Sequence, residues 1–268
     1  MNRPSWAPDD IDLDRPSGAR VYDYFLGGAH NFAVDRRLAE AISAMTPDIG
    51  DTMRANRALL RRMVRYLVAA GITQFLDIGS GIPTVGNVHE VAQQADSGSR
   101  VLYVDIDPIA VSHSRAILGD DPRTAVIQAD ARDVDTILSD PATTALLDLD
   151  RPVAVLVLGV LHFIPDSDDP AGVVARLRDV IAPGSMVALV NVTHEDQPPE
   201  VIEGQKLASR TGTPIYLRSR AELTAQFDGL TLVEPGLVHL PLWHPDSPLA
   251  PGERPERFGA LAGMGRKD

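Results

Sequence analysis

Between residues 74 and 192 short apolar runs alternate with amphipathic stretches. The runs at 74–78, 100–105, 125–129, 153–158 and 186–192 have the length and β-branched content of buried strands, and 153–158 is apolar at every position, as a central strand covered on both faces should be. The intervening segments 85–95, 109–118 and 171–181 carry apolar residues at helical spacing. This alternation predicts a mostly parallel α/β sheet joined by right-handed crossovers, with helices on both faces. Ahead of it, Leu38, Ile42 and Met45 predict a helix over 33–45. Leu59, Leu60, Met63, Val64 and Leu67 predict a stronger one over 53–70, ending at Gly71. Residues 1–17, rich in Pro, Asp and Arg, read as an extended arm. Beyond the sheet, "SRAE" (Ser219 to Glu222) is a capping box opening a helix through Phe227. "LTLVEPGLVHLPLW" then reads as an antiparallel hairpin around Pro235-Gly236, and the Pro- and Gly-rich segment from Pro245 reads as a loosely ordered tail. No internal repeat is visible.

The most specific stretch is "FLDIGSGIPT", residues 75–84, where a buried strand runs into a glycine turn and Pro83 stands where a helix would begin. Glycines at such a turn let the backbone take positive φ and approach a ligand closely. A dinucleotide fingerprint would need a third glycine where the chain has Thr84, and a phosphate P-loop would need Gly-Lys-Ser/Thr, which is absent. Asp77, two residues before the first glycine, suits a ligand with ammonium or hydroxyl groups better than a pyrophosphate. S-adenosyl-L-methionine is such a ligand. Asp105 ends the second strand in "VLYVDIDP", about 20 residues past the turn, the spacing of an acidic residue that grips a ribose. Asp107 before Pro108 reads as a helix N-cap, and Asp130 in "VIQADARD" could accept a hydrogen bond from an adenine amino group or close a loop turn.

Composition narrows the functional classes. The chain has 268 residues, 25 Lys and Arg against 37 Asp and Glu, and a net charge of −12, which disfavours a phosphate-backbone surface and so nucleic acid. It has no cysteine, which excludes disulfides, thiol nucleophiles and thiolate metal sites. The N-terminus lacks an apolar leader and the longest apolar run, 153–164, is too short to span a bilayer, so a cytoplasmic protein without membrane partners is expected. Oligomeric state is not legible.

"LDIGSGIPT", "YVDIDP", "QADARD" and "VLGVLHFIPD" stand in the order and places of the motifs of S-adenosylmethionine-dependent class I methyltransferases. "RPSGARVYDYFLGGAHNFAVDR" and "GSGIPTVGNVHEVAQ" resemble one branch of them, long carried as a domain of unknown function, over nearly the whole chain from about Arg15 to about Trp243. Pro83 replaces the last glycine of the common acidic-x-Gly-x-Gly-x-Gly pattern. The resemblance implies a Rossmann-like sheet over 71–245, a helical cover over 1–70 and a tail over 246–268. It implies cofactor contacts by Asp77, Gly79, Gly81, Asp105 and Asp130, with Ser80, Ile106 and Ala131 beside them in the same motifs. The activity implied is methylation of a small molecule, with a non-catalytic S-adenosylmethionine-binding protein, or less well a nicotinamide oxidoreductase, as alternatives.

Further groups bear on chemistry. His162, in "LHFIPD" after the central strand, is a candidate general base or a loop support. "VYDYFLGGAHNFAVD" gathers Tyr22, Tyr24, Phe25, His30, Asn31 and Phe32 around Gly27-Gly28, and reads as a lid over a sulfonium or as a structural cover. Arg54, Arg57, Arg61, Arg62 and Arg65 read as the solvated face of an amphipathic helix, in preference to an anionic substrate site. Asp166, Asp168 and Asp169 read as structural, with Asp169-Pro170 a helix start, and no metal is expected. Acceptor contacts are expected from the N-terminal segment and residues 193–218, including Asn191, Thr193, His194 and Glu195 at their margin.

Overall fold

A computed structural model of the protein describes residues 13–82, 86–199, 202 and 214–268. Three helices come first, α1 (Gly18–Phe25), α2 (Ala33–Met45) and α3 (Ile49–Ala69). The alternating region follows as β1 (Gln74–Ile78), α4 (Val88–Ala95), β2 (Arg100–Asp105), α5 (Pro108–Leu118), β3 (Thr124–Gln128), α6 (Val134–Ser139), α7 (Pro141–Leu146), β4 (Ala154–Leu158), α8 (Pro170–Val180) and β5 (Met186–Val192). The chain finishes with α9 (Arg220–Ala225), β6 (Thr231–Leu232), β7 (Val238–His239) and β8 (Ala260–Arg266). The strands form one sheet in the order β3-β2-β1-β4-β5-β8-β6, with β7 also on β8. Pairing is parallel from β3 through β5 and antiparallel wherever β8 takes part, so β8 alone runs against the others.

Three of the expectations are corrected here. The runs around Pro235-Gly236 do not pair with each other as a hairpin; β6 and β7 each pair with β8 instead. Much of the expected loose tail is therefore structure, because β8 lies buried between β5 and the last strands, in register from Met186↔Arg266 to Val192↔Ala260. At the glycine turn, the following helix starts at Val88 with Asn87 as its N-cap, later than Pro83 suggested; Pro83 and Thr84 lie outside the described residues.

Both faces of the sheet are covered, which is why its strands read as continuous apolar runs. On one face Phe75, Tyr103, Leu156 and Ala188 pack under Leu60, Met63, Val64 and Leu67 of α3, together with Trp243. On the other, Leu76, Leu102, Val155 and Leu189 pack under Ile137, Leu146, Val174 and Leu177 of α6, α7 and α8. Strand order reverses direction between β1 and β4, so the connections leaving their carboxyl ends diverge and open a crevice there. Open α/β sheets place ligands in that crevice.

Candidate functional site

The crevice is built first by the glycine turn. Gly79 has φ +71°, and a Cβ there would overlap Val160 Cγ2, so only glycine lets the end of β1 lie against the loop after β4. Gly81 has φ +66° and open space where its Cβ would stand. The Gly79 and Ser80 N–H groups both donate to Val104 O, at 2.8 and 3.1 Å, and Gly81 N donates to Asp105 Oδ2 at 2.7 Å. The turn is thus held by β2, and the buried Ser80 Oγ has no hydrogen-bond partner among the described residues.

Two carboxyl groups stand at this turn. Period-two alternation puts Asp77 on the same face as Phe75, under α3, where it is 5 % exposed and accepts no hydrogen bond among the described residues. Burial raises its carboxyl to about 7; the Arg57 guanidinium opposes the rise and the Asp105 carboxylate adds to it. Asp105 is buried too, and burial raises it to about 6 against the N–H groups of Asp107 and Gly81. Its two oxygens accept from Asp107 N at 2.8 Å and Gly81 N at 2.7 Å, which leaves further lone pairs for ligand hydroxyls. Ile106, next to Asp105, is 62 % exposed, an apolar side chain open at the crevice edge. Two buried carboxyl groups and an open apolar platform suit the ammonium, ribose and adenine of S-adenosylmethionine, and oppose a pyrophosphate.

Asp107 fills the N-cap role expected of it, accepting from Ile109 N at 2.8 Å. Asp130 makes the loop turn: it accepts from Arg132 N at 2.9 Å and pairs with the Arg132 guanidinium, which also reaches Asp168 at 2.5 Å. An adenine amino group would meet a carboxylate already engaged. Ala131, beside it, packs partly buried against the sheet.

His162 sits in the short helical turn Leu161–Phe163 after β4, buried, with Nδ1 lacking any hydrogen-bond partner among the described residues. Burial, then the Arg218 guanidinium, lowers it to about 3, so the imidazole is neutral near pH 7 and a poor proton acceptor. Its loop is pinned by Arg218, whose guanidinium donates to Leu161 O at 2.9 Å and Ile164 O at 2.7 Å and pairs with Asp166. Tyr216 N donates to His162 O at 2.7 Å. The expected structural role of Asp169 holds: it caps α8 by accepting from Gly172 N at 2.9 Å. No group of metal-ligating side chains occurs among the described residues.

The N-terminal aromatics divide. Tyr22 faces α3: its hydroxyl donates to Met53 O at 3.2 Å and accepts from Asn56 Nδ2 at 3.3 Å, and Arg57 lies over its ring at 5.6 Å. Tyr24 stacks edge-on against Phe25. Asn31 is tied within its own segment, donating to Asp23 Oδ2 and Gly28 O and accepting from Arg36, while the His30 ring lies 4.0 Å from that of His113 on α5. The segment reaches the glycine turn through an apolar cluster of Leu13, Ala19 and Phe32 with Ile82, Ile109 and Ala110. Buried Arg20 adds a polar tie, with Nε 3.3 Å from Asp35 and 3.8 Å from Asp107.

Sequence reasoning missed Asn56, Arg57, Gly159 and Val160. The arginines of α3 are not one solvated face: Arg62 donates to Trp243 O and Leu240 O, and Arg57 Nε is buried. A signal existed for Arg57, since it precedes Leu60, Val64 and Leu67 by three, seven and ten residues and so continues their stripe. At the far edge, Asn191 donates to Gln226 Oε1 at 2.8 Å and Thr193 Oγ1 accepts from Glu195 N; much of the expected acceptor region lies outside the described residues.

A sequence profile of S-adenosyl methyltransferases matches residues 4–268. Among solved structures, a Thermobifida fusca YX protein whose assignment as a methyltransferase is provisional is 40% identical, with TM-score 0.93 over 98% of this chain and 99% of that one. A DUF574 family protein from Streptomyces avermitilis MA-4680 is 41% identical, with TM-score 0.91 over 96% of this chain and 100% of that one. The N-methyltransferase NodS from Bradyrhizobium japonicum WM9, solved with S-adenosyl-L-homocysteine, is 13% identical, with TM-score 0.51 over 92% of this chain and 98% of its own, and shares the fold. No curated protein matches the chain. The match over the whole sheet and its cover places this chain in the S-adenosyl methyltransferase family, as an enzyme whose methyl donor is S-adenosyl-L-methionine.

Proposed function

We propose that this enzyme methylates a small cytoplasmic molecule, with the donor held by Asp77 and the Gly79-Ser80-Gly81 turn at its aminoacyl end. In this reading Asp105 receives the ribose, Ile106 packs on the adenine, and Asp130 and Ala131 border the ring. The observation that carries it is the buried Asp77 carboxyl, which has no hydrogen bond among the described residues and stands beside a glycine turn with open space at Gly81. A net charge of −12 argues against a nucleic-acid acceptor.

When bound, the donor supplies a methyl group already activated on a sulfonium. The remaining work is orientation of the acceptor's lone pair and disposal of any proton it loses. A neutral, weakly basic His162 fits a hydrogen-bonding or orienting role better than proton abstraction, which favours acceptors carrying a free lone pair at neutral pH. The N-terminal segment, bearing Tyr22, Tyr24, His30 and Asn31, covers the turn and excludes water.

Thermal shift tests the cofactor half: S-adenosylmethionine and S-adenosylhomocysteine raise Tm by mass action, and nicotinamide dinucleotides do not. Equal shifts with both classes would overturn the assignment. Incubation with S-adenosylmethionine and a metabolite library, read by mass for gain of one methyl group, tests the acceptor class. A library without any methylated product, alongside methylated protein or nucleic-acid substrates, would refute a small-molecule acceptor.

A further inference from the structure

The loop that leaves the glycine turn runs to the start of α4, and both of its ends rest on consecutive residues of β2. At the near end, Val104 O and the Asp105 carboxyl hold Gly79, Ser80 and Gly81. At the far end, the Tyr103 hydroxyl accepts the His89 N–H at 2.9 Å and lies 2.7 Å from His89 Nδ1. Because that oxygen already accepts the backbone N–H, its own proton goes to Nδ1, which requires a neutral His89 ring protonated on Nε2. Tyr103 is buried in the core under α3, where a hydroxyl that loses its acceptor has no water to replace it. The His89 N–H belongs to the first turn of α4, among the donors that a helix cannot satisfy by itself, so the hydroxyl also caps the helix. Glu90 completes the anchor by accepting from Gly86 N at 2.7 Å and Asn87 N at 3.1 Å.

Charged groups face this pair from each element around it. Burial lowers the half-buried His89 imidazole from its ordinary value; Glu90 on the same helix and Asp121 ahead of β3 oppose this, and Arg123 adds to it. Burial raises the Tyr103 hydroxyl, as does Asp77, its register partner on β1, while Arg57 of α3 works the other way, so the phenol keeps its proton at neutral pH. Arg61 of α3 fills the space where a Cβ on Gly86 would stand. We infer, on the footing of the proposed donor site, that Tyr103 and His89 are positioning residues for the donor: the neutral His89 ring, by taking the Tyr103 proton, fixes the far end of the donor loop, and protonation of Nδ1 releases it. An imidazolium has an N–H at both ring nitrogens, so the buried hydroxyl then loses the acceptor for its own proton. Neither residue needs to touch the ligand.

Calorimetry with S-adenosylhomocysteine, at two pH values on either side of histidine's titration, about 8 and about 5.5, tests this. At the higher pH, Tyr103→Phe and His89→Leu should each weaken binding about three- to tenfold, the loss of one or two neutral hydrogen bonds. His89→Asn places an amide near the Nδ1 position that takes up no proton, and should recover most of the affinity that His89→Leu loses. Asp77 and Asp105 titrate in the same window, at about 7 and about 6, and cancel in the ratio of wild type to His89→Asn. That ratio of dissociation constants should rise by at least about threefold at the lower pH, because only the wild-type ring gains a proton. A pair with a purely structural role would lower Tm in the variants and leave the ratio flat. A flat ratio, or a Tyr103→Phe protein that binds as tightly as wild type, would overturn the positioning role while leaving the donor site standing. Should Tyr103→Phe fail to fold, the two variants at the half-buried position 89 decide the matter by themselves. A wild-type protein that binds no S-adenosylhomocysteine at either pH would remove the donor site and the positioning role together.

Discussion

Gly79 and Gly81 lie two residues apart and both have positive φ, yet they answer to different constraints. At Gly79 the space beyond Cα is filled by Val160, whereas at Gly81 it is open. Gly79→Val should therefore damage the fold itself, lowering Tm and abolishing binding. Gly81→Ala should cost only about 1 kcal/mol of stability, the strain of a non-glycine residue at positive φ, while its methyl group obstructs the ligand. Calorimetry with S-adenosylhomocysteine and chemical denaturation separate the two; a Gly81→Ala protein with wild-type affinity would show that the turn does not approach the ligand. Asp77 gives a test by pH. In the native state it keeps its proton up to about 7, whereas the unfolded chain releases it near 3.8, so the native form binds more protons between these values. Its contribution to stability is complete at low pH and is lost as pH rises through 7. His162 runs the opposite way: neutral when folded above about 3 but protonated when unfolded below about 6.5, it costs stability as pH falls. The clean measurement is the difference between Asp77→Asn and wild type, because His162 cancels. That difference should move in favour of the variant, by on the order of 4 kcal/mol between about pH 4 and 8, in denaturation curves. A flat difference would mean that Asp77 titrates as an ordinary carboxylate.

Elements here are joined by buried polar contacts as well as by apolar faces. Helix α1 reaches α5 through Arg20, which lies between Asp35 and Asp107 and over the Phe32 ring at 5.3 Å. Asp35 is fully buried and also accepts from Ser17 N and Phe32 N, with burial raising its carboxyl. Arg20→Leu would leave Asp35 and Asp107 without their cation. We expect a loss of about 3 to 5 kcal/mol in urea unfolding, the cost of breaking a buried pair from one side. Because Asp107 is two residues from Asp105, S-adenosylhomocysteine binding should weaken as well. A variant with unchanged stability would show that the cover is held by the Leu13, Phe32 and Ile82 contacts alone. The same physics serves the loop after β4, where Arg218 holds two backbone carbonyls flanking His162.

At the scale of the molecule, β8 closes the sheet. It pairs over seven residues with β5 and supplies the partner for both β6 and β7. Ala262 and Met264 belong to the core under α3, so the strand is bound on its face as well as its edges. Deleting residues 246–268 should therefore abolish cooperative unfolding and expose apolar surface, seen as aggregation or dye binding. A truncated chain that unfolds cooperatively at the wild-type Tm would contradict the central place of β8. No described helix is long and apolar enough to cross a membrane.

The sequence by itself determined β1 through β5, the helices between most of them, and the positions of Asp77, Gly79, Gly81 and Asp105 at the ends of their strands. Those features are written in local patterns, alternation with period two or 3.6 and glycines at a sharp turn, and each is complete within a dozen residues. The rest depended on residues distant in the chain. "GALAGMG", residues 259–265, has no β-branched residue and three glycines, so locally it reads as flexible. It is a strand because β5 offers it an edge, and because Phe227 and Leu230 occupy the space where side chains on Gly263 and Gly265 would stand. Arg57 likewise read as one of several arginines on a solvated face, until α1 folded back and laid Tyr22 against it. Asp130, read from sequence as a candidate ligand residue or a loop turn, also gains a partner that no local pattern announced, the Arg132 guanidinium. Local pattern decides what each segment can become, but which side chains are buried, paired or left facing a crevice depends on contacts between segments far apart in sequence, and only the tertiary structure brings these together.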